Sequence, residues 1–176
     1  MAVGDDSFAS SAGGTTVNPI ERVRQALQIA GLDGDLVREL PADTSTAETA
    51  ARAVGAPLGS IVKSLVFLAD AAPLLVLAAG DQRVDVKQLR AALGLSKSRL
   101  RIAQPAEVLT HTGFEVGVVP PLGHSPPLRT LIDSTLERYE TVWAAAGSAN
   151  AVFPIAYHKL LAVTGGEVMD LAQSGQ

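Results

Sequence analysis

The stretch "SIVKSLVFLAD", residues 60–70, predicts the β-strand on which the fold of this protein depends. Side chains alternate along a strand, so they divide between two faces. One face carries Ile61, Lys63, Leu65 and Phe67, and the other carries Val62, Ser64, Val66 and Leu68. Neither face is plainly the exposed one, yet a lysine lies in the middle of the strand.

Lys63 has two interpretations. Its ammonium group can reach water from a strand edge along its own aliphatic stem, which is the usual arrangement for a lysine on an apolar strand. The alternative is a polar cavity, because burying an unpaired ammonium group costs several kcal/mol.

The rest of the chain predicts an α/β (α+β mixed) domain with a mixed, mostly antiparallel sheet and short helices. A second apolar run at 73–80 follows the brief turn "DAA" and predicts an antiparallel hairpin with 60–70. Further strands are predicted at 36–40, 99–103, 128–133, 140–147 and 151–156, with a last short element at 167–172. Helices are predicted at 18–31, 45–55, 85–94, 105–113 and 157–165.

Helix starts are marked by capping residues. Asn18 with Glu21 and Ser45 with Glu48 each predict a capping box, in which two side chains satisfy two backbone N–H groups reciprocally. Asp85 predicts the cap of the third helix.

Composition limits the class of protein. The chain has 176 residues, 47% of them hydrophobic and 18% charged, which suits one globular domain. Residues 1–16 predict a flexible N-terminal tail, and 17–173 the folded domain. No apolar run has the length of a membrane helix and no signal peptide is recognisable, so we expect a cytoplasmic protein without a membrane partner.

Several kinds of site are missing from the sequence. The chain has no cysteine, which excludes disulfides, thiolate metal sites and a cysteine nucleophile. Its three histidines lack metal-ligand spacing, and no P-loop, dinucleotide fingerprint or nucleophile elbow is present. We therefore expect neither a metal nor an organic cofactor.

The charge is unevenly distributed. A net charge of −4 argues against a surface made throughout for nucleic acid, and we expect no DNA partner. Between 83 and 101, however, lie six basic side chains and one acidic one. The six, Arg83, Lys87, Arg90, Lys97, Arg99 and Arg101, form either a solvated surface or a small patch that contacts an anion such as RNA.

The segment "GFEVGVVPPLG", residues 113–123, is the second candidate for a site. Gly117 can bring its backbone against a ligand without a Cβ, while Pro120 and Pro121 restrict the chain. The N–H groups of Val118 and Val119 would then be fixed donors that can hold a carbonyl or an oxyanion. The alternative is a purely structural turn.

Together these residues resemble a known family. The order "IVKSLVF", "VDVKQLRAALG", "TGFEVGVVPPLG" and "LIDSTLERYETVWAAAG", with "DLA" near the end, is similar to the YbaK-like aminoacyl-tRNA deacylases. These are free-standing relatives of the editing domain of bacterial prolyl-tRNA synthetases. The similarity spans about residues 18–172.

The resemblance implies a hydrolase that removes a small non-cognate amino acid, such as Cys, Ala, Ser or Thr, from mischarged tRNA for proline. It implies that Lys63 and Gly117 are catalytic and that the substrate lies against Val118, Val119, Pro121, Gly123 and Gly147. It further implies neither a metal nor a covalent enzyme nucleophile. Aminoacyl-tRNA is the expected partner, with prolyl-tRNA synthetase or an elongation factor as a helper.

The chain departs from the family in one segment. Many relatives carry a Ser-Gly-Gly run followed by basic residues, where this chain has "AAAGSAN", residues 144–150. The alternative function is therefore a non-catalytic module of the same fold that binds tRNA or a synthetase. A catalytic member needs an open pocket with Lys63 at its wall, whereas a binding module can have that pocket filled by side chains.

Overall fold

The structure, a computed structural model, describes residues 17–173, so the predicted tail at 1–16 lies outside the described residues. The helices in this range are α1 (Pro19–Ile29), α2 (Ala47–Val54), α3 (Val86–Leu93), α4 (Pro105–Thr112) and α5 (Tyr157–Thr164). The strands are β1 (Arg38–Glu39), β2 (Val62–Ala69), β3 (Ala72–Ala79), β4 (Leu100–Ile102), β5 (Arg129–Asp133), β6 (Thr141–Ala145), β7 (Ala151–Ala156) and β8 (Glu167–Met169). None of these helices is long and apolar enough to cross a membrane.

The strands form two sheets within the described range. One has the order β4-β2-β3-β5-β8 and the other β1-β7-β6. The pairs β3–β5 and β5–β8 are parallel, and the remaining four pairs are antiparallel. The predicted fold class, a single mixed α/β domain with mostly antiparallel strands and short helices, is confirmed.

The β2–β3 hairpin is the centre of the larger sheet, as the sequence predicts. Lys63 pairs with Ala78 and Ala69 with Ala72, and the two turn residues Asp70 and Ala71 both have positive φ. Positive φ at both central residues gives the turn the twist that a two-residue hairpin requires.

Both faces of β2 are covered, which explains its apolar character. Val62, Val66 and Leu68 pack into the main core with α1 and the smaller sheet. Phe67 packs on the opposite face, in a second cluster that contains Leu89 of α3. Buried apolar area of this kind contributes roughly 25 cal/mol per Å² to folding.

Two predicted capping boxes are wrong in detail. Asn18 caps α1 by accepting a hydrogen bond from the Ile20 N–H, without the reciprocal bond from Glu21. The box of α2 begins one residue later than predicted, with Thr46 as the cap and Thr49 as its partner. Neither Ser45 nor Glu48 takes part in that box. Asp85 caps α3 as predicted, accepting from Lys87 and Gln88.

The predicted strand at 36–40 is also shorter in the structure. Gly34–Leu36 form a 3₁₀ turn, and only Arg38–Glu39 pair, with β7. Asp33 caps that turn through the Asp35 N–H, so a local side-chain bond competes with the extended backbone.

Candidate functional site

A cavity of about 330 Å³ opens where α2, β2 and β6 meet the 113–123 segment. Its floor includes Lys63 and Ser64 of β2, and its walls include Ala145 of β6 and Gly117. It is therefore an open pocket with both of the predicted catalytic residues in its lining. Its volume falls at the lower end of the range of small-molecule sites.

Lys63 lies half-buried in this cavity, and its ammonium group donates a hydrogen bond to the Gln82 carbonyl. Burial lowers the pKa of Lys63 below its ordinary 10.5, while the carboxylates of Glu48 and Asp81 act in the opposite direction. The neighbouring Arg83 lowers the pKa further. The sequence allows Lys63 either to reach bulk water from a strand edge or to lie in a polar cavity. The structure has it half-buried in the cavity lining, which agrees with the second interpretation.

The edge of β2 that faces away from β3, called the outer edge below, is only partly paired, and the cavity lies beside its unpaired part. Along that edge the Val66 carbonyl accepts from Ala103, and Ile61 bridges to Trp143 of β6. Backbone groups of alternate residues point to the same edge of a strand. The N–H and C=O of Ser64 therefore point into the gap between these two contacts.

Ser64 has a second unusual feature. Its hydroxyl oxygen is buried and has no hydrogen-bond partner among the described residues. A buried polar group without a partner costs about 1–3 kcal/mol, so such groups are rare unless a ligand or water uses them.

The middle of the 113–123 segment borders the cavity. Val116, Gly117 and Val119 line it, and Gly117 has φ +90°. A Cβ on Gly117 would lie 3.3 Å from the Ser45 carbonyl oxygen, so this backbone closely approaches the segment before α2.

Only part of the predicted pair of donors is free. The Val118 N–H already donates to the Glu115 carbonyl, at 3.2 Å. No described residue accepts from the N–H groups of Gly117 or Val119. The donor role predicted for Val118 and Val119 therefore fits Val119 and Gly117 better.

Three other predicted substrate contacts lie away from the cavity. Pro121 and Gly123 line a separate hollow beside α1. Gly147 is packed behind the cavity wall: its N–H donates to the Val118 carbonyl, and a Cβ would meet Phe114 at 2.9 Å. Gly147 thus holds the 113–123 segment against the end of β6.

The part of the chain that forms this site matches the model of a known protein family. The model of the aminoacyl-tRNA editing domain matches residues 41–163, which include Lys63, Gly117 and the whole cavity lining. The chain belongs to this family. The predicted resemblance is thereby confirmed.

Individual proteins are also similar to this chain. The uncharacterized protein YwhH of Bacillus subtilis is 36% identical over 120 residues, which are 68% of this chain and 74% of that protein. A solved structure described as a candidate trans-editing enzyme for prolyl-tRNA synthetase is 43% identical. It has a TM-score of 0.82 and covers 89% of this chain and 98% of its own.

The editing domain is also similar to part of a larger enzyme. The proline–tRNA ligase of Xanthomonas campestris pv. campestris is 31% identical over 132 residues, which are 74% of this chain but 23% of the ligase. The similarity therefore concerns one region of that enzyme. It relates this chain to prolyl-tRNA synthetase editing.

The basic run of this editing domain does not form one uniform patch. Arg99 pairs with Asp70, and Arg101 with Glu107, whose pKa the guanidinium lowers to about 2. The other four, Arg83, Lys87, Arg90 and Lys97, have no ion pair with a described residue. Arg83 does not line the cavity, but it is near enough to Lys63 to lower the pKa of that lysine.

Glu48, which the sequence predicts as a capping residue of α2, lines the cavity instead. Its carboxylate is exposed at the cavity, and no described residue pairs with it. The signal in the sequence was ambiguous, because "TSTAET" offers two overlapping capping patterns. Within residues 17–173, no three His, Asp or Glu side chains are arranged to hold a metal ion.

Proposed function

We propose that this protein hydrolyses the ester bond of mischarged aminoacyl-tRNA in trans. Its substrate would be tRNA for proline that carries a small non-cognate amino acid such as Cys, Ala, Ser or Thr. The observation that carries the proposal is the open cavity whose lining includes Lys63, Gly117 and Val119. Membership of the editing-domain family supports it independently.

The residues suggest how hydrolysis proceeds. Lys63, as a cation, holds the terminal nucleotide or the ester oxygens, while the N–H groups of Gly117 and Val119 receive the carbonyl oxygen as negative charge develops there. Water attacks the carbonyl carbon, the ester C–O bond breaks, and the proton lost by the water passes to the leaving ribose oxygen. If a substrate hydroxyl attacks first, the aminoacyl group is transferred to that hydroxyl, and water then hydrolyses the new ester in the same way. The products are the free amino acid and tRNA with its terminal hydroxyl restored. An aminoacyl ester is intrinsically labile, so positioning can suffice.

The binding-module alternative predicts a pocket filled by side chains. The cavity of about 330 Å³ favours hydrolysis, because it is open and leaves room for an aminoacyl group. Ala145 in its wall stands in the segment that departs from the family pattern, so that wall makes an apolar contact instead of a polar one.

A deacylation panel tests the proposal. tRNA for proline charged with alanine, cysteine, serine or threonine is incubated with the wild type and with Lys63→Ala, and the remaining ester is measured. We expect hydrolysis of at least one substrate and a loss of at least 100-fold in Lys63→Ala. Lys159→Ala, which changes an exposed lysine of α5, is the matched control and should retain full activity.

The outcomes are separable. If every substrate stays charged at high enzyme concentration, the hydrolase function is wrong, and tRNA binding without turnover would indicate the binding module. The midpoint of thermal unfolding of Lys63→Ala must match that of the wild type, so that the loss of deacylation activity can be assigned to the lysine and not to unfolding.

A pH profile tests the protonation state of Lys63. If Lys63 acts as a cation, the enzymatic rate, corrected for uncatalysed hydrolysis, declines as the pH rises through its pKa below 10.5. If neutral Lys63 acts as a base, the rate rises over the same interval.

We propose the cytoplasm as its location, with aminoacyl-tRNA as its partner. The net charge of −4, and the presence of only four basic side chains of the 83–101 run without an ion pair to a described residue, give the protein limited means to hold tRNA. A helper such as prolyl-tRNA synthetase or an elongation factor would supply the remaining affinity.

A further inference from the structure

The lining of the cavity carries two side chains of opposite charge. Lys63 of β2 is the only cation in the lining and Glu48 of α2 the only carboxylate, among the described residues. Glu48 is close enough to Lys63 to raise the pKa of that lysine, but the two side chains form no ion pair. Each charge can therefore still meet an oppositely charged group of one ligand.

The position of Glu48 follows from how α2 begins. Thr46 and Thr49 form the capping box, so the Glu48 carboxylate is not needed by the backbone N–H groups of the first turn. It makes no hydrogen bond or ion pair with residues 17–173, and its side chain is exposed at the cavity. The Glu48 carbonyl, by contrast, accepts from Arg52 Nε.

An aminoacyl ester presents a matching pair of charges. Its α-ammonium group is cationic, and the terminal nucleotide that carries the ester is anionic. The ammonium group would be repelled by Lys63 and attracted by Glu48, whereas the phosphate would be attracted by Lys63. Only one orientation of the ligand satisfies both ends.

We propose that Glu48 binds the α-ammonium group of the aminoacyl ester, so that the site selects free aminoacyl esters over those whose amino group is acylated. This inference rests on the proposed hydrolase function and adds a substrate class to it. Esters with a blocked amino group, peptidyl esters among them, lack the cation and would leave Glu48 unpaired. Glu48 is then a specificity-determining residue.

A second role for Glu48 has to be separated from this one. An acidic side chain in the first turn of a helix stabilises that helix through the helix dipole, whatever binds nearby. The readout must therefore be one that helix stability does not change.

The test compares one charged tRNA with and without N-acetylation. The substrate is whichever aminoacyl-tRNA of the deacylation panel is hydrolysed, and each rate is divided by its uncatalysed rate, because N-acetylation alters the ester. We expect Glu48→Gln to lower kcat/KM for the free ester about 10- to 100-fold, mainly through KM. The rate for the N-acetylated ester should stay unchanged.

Two further variants complete the experiment. Glu21→Gln makes the same change in the exposed first turn of α1 and should leave both substrates unaffected. Glu48→Asp keeps the charge and should recover part of the preference for the free ester.

The outcomes distinguish the two proposals. If the wild type hydrolyses both forms equally, or if Glu48→Gln lowers both equally, the role of Glu48 is wrong while the hydrolase function stands. If no aminoacyl-tRNA is hydrolysed by the wild type, the hydrolase function itself fails.

Discussion

The middle and the ends of the Gly- and Pro-rich segment 113–123 have different roles, although glycine occurs in both. Gly117 has φ +90° and borders the cavity beside Ser45. Gly123 has φ +89° and lies against α1, where a Cβ added to it would be 3.3 Å from the Cβ of Ala26. The middle of the segment contacts the site of the proposed chemistry. Its ends attach the segment to the core, so the same backbone conformation serves binding in one place and anchoring in the other.

Arg22 of α1 makes polar contacts with both ends of the segment. It donates to the carbonyls of Gly113 and Gly123, and its guanidinium lies 4.3 Å from the centre of the Phe114 ring. His124, which is buried, adds a hydrogen bond between its Nε2 and the Pro120 carbonyl. The wall of the cavity is therefore positioned by contacts made on the other side of the segment.

The comparison predicts that the two glycines differ when each is replaced by alanine. Both variants strain a positive φ, so each should lose about 1–2 kcal/mol of unfolding free energy. Gly117→Ala should also lower kcat/KM about 10- to 100-fold, because the shifted backbone misplaces the substrate. Gly123→Ala should stay within about threefold of wild-type activity. Urea unfolding and deacylation rates measure the two effects, and equal activity losses would contradict the division.

Removing Arg22 should weaken the anchor without removing a cavity residue. We expect Arg22→Met to lose about 1.5–3 kcal/mol of unfolding free energy. The reason is that the carbonyls of Gly113 and Gly123 lose the charged donor that Arg22 provides. Arg129→Met, which removes an exposed ion pair with Glu167, is the matched control and should lose less than about 1 kcal/mol. Urea denaturation measures both. A loss in Arg22→Met no greater than the control would show that the anchor lies elsewhere.

His124 should make the anchor sensitive to acid. Burial lowers the pKa of His124 below 6.5, and the nearby Arg22 acts in the same direction, while the Pro120 carbonyl opposes them. The unfolded chain therefore takes up the proton first as the pH falls. The stabilisation is complete above pH 6.5 and is lost below it.

The measurement is urea unfolding between pH 8 and pH 5. The wild type should lose more unfolding free energy over this interval than His124→Gln, which keeps a polar side chain without the titration. Parallel curves for the two proteins would contradict a buried, neutral His124.

The smallest expected effect concerns the basic run. Replacing Lys87 and Arg90 by glutamine should reduce the slope of log affinity for tRNA against log salt by about 0.7–0.9 per lost phosphate contact. Replacing Arg99 and Arg101 should reduce it less, because Asp70 and Glu107 already offset these charges. Filter binding at several salt concentrations measures the slopes, and equal reductions would contradict the difference.

Much of the fold could be predicted from the sequence where the pattern is local. The β2–β3 hairpin follows from two apolar runs around a short turn, and α3 follows from Asp85 and an amphipathic repeat ending at Gly94. The start of α2 could not be placed to the residue, because Ser45 and Thr46 both begin an acceptable capping pattern. The contact of the Ser45 carbonyl with Gly117 is long-range and has no sequence signal.

The sequence by itself determined the strand with its lysine, the turn-rich segment at 113–123 and the family, because these depend on periodicity, on Gly and Pro, and on ordered motifs. Only the tertiary structure decided that Lys63 and Gly117 share a cavity, that Gly123 lies elsewhere and that Glu48 borders the site. These facts depend on how much of the outer edge of β2 is paired with β4 and β6, and on Thr46 being the N-cap of α2. Both are settled by packing between segments far apart in the chain.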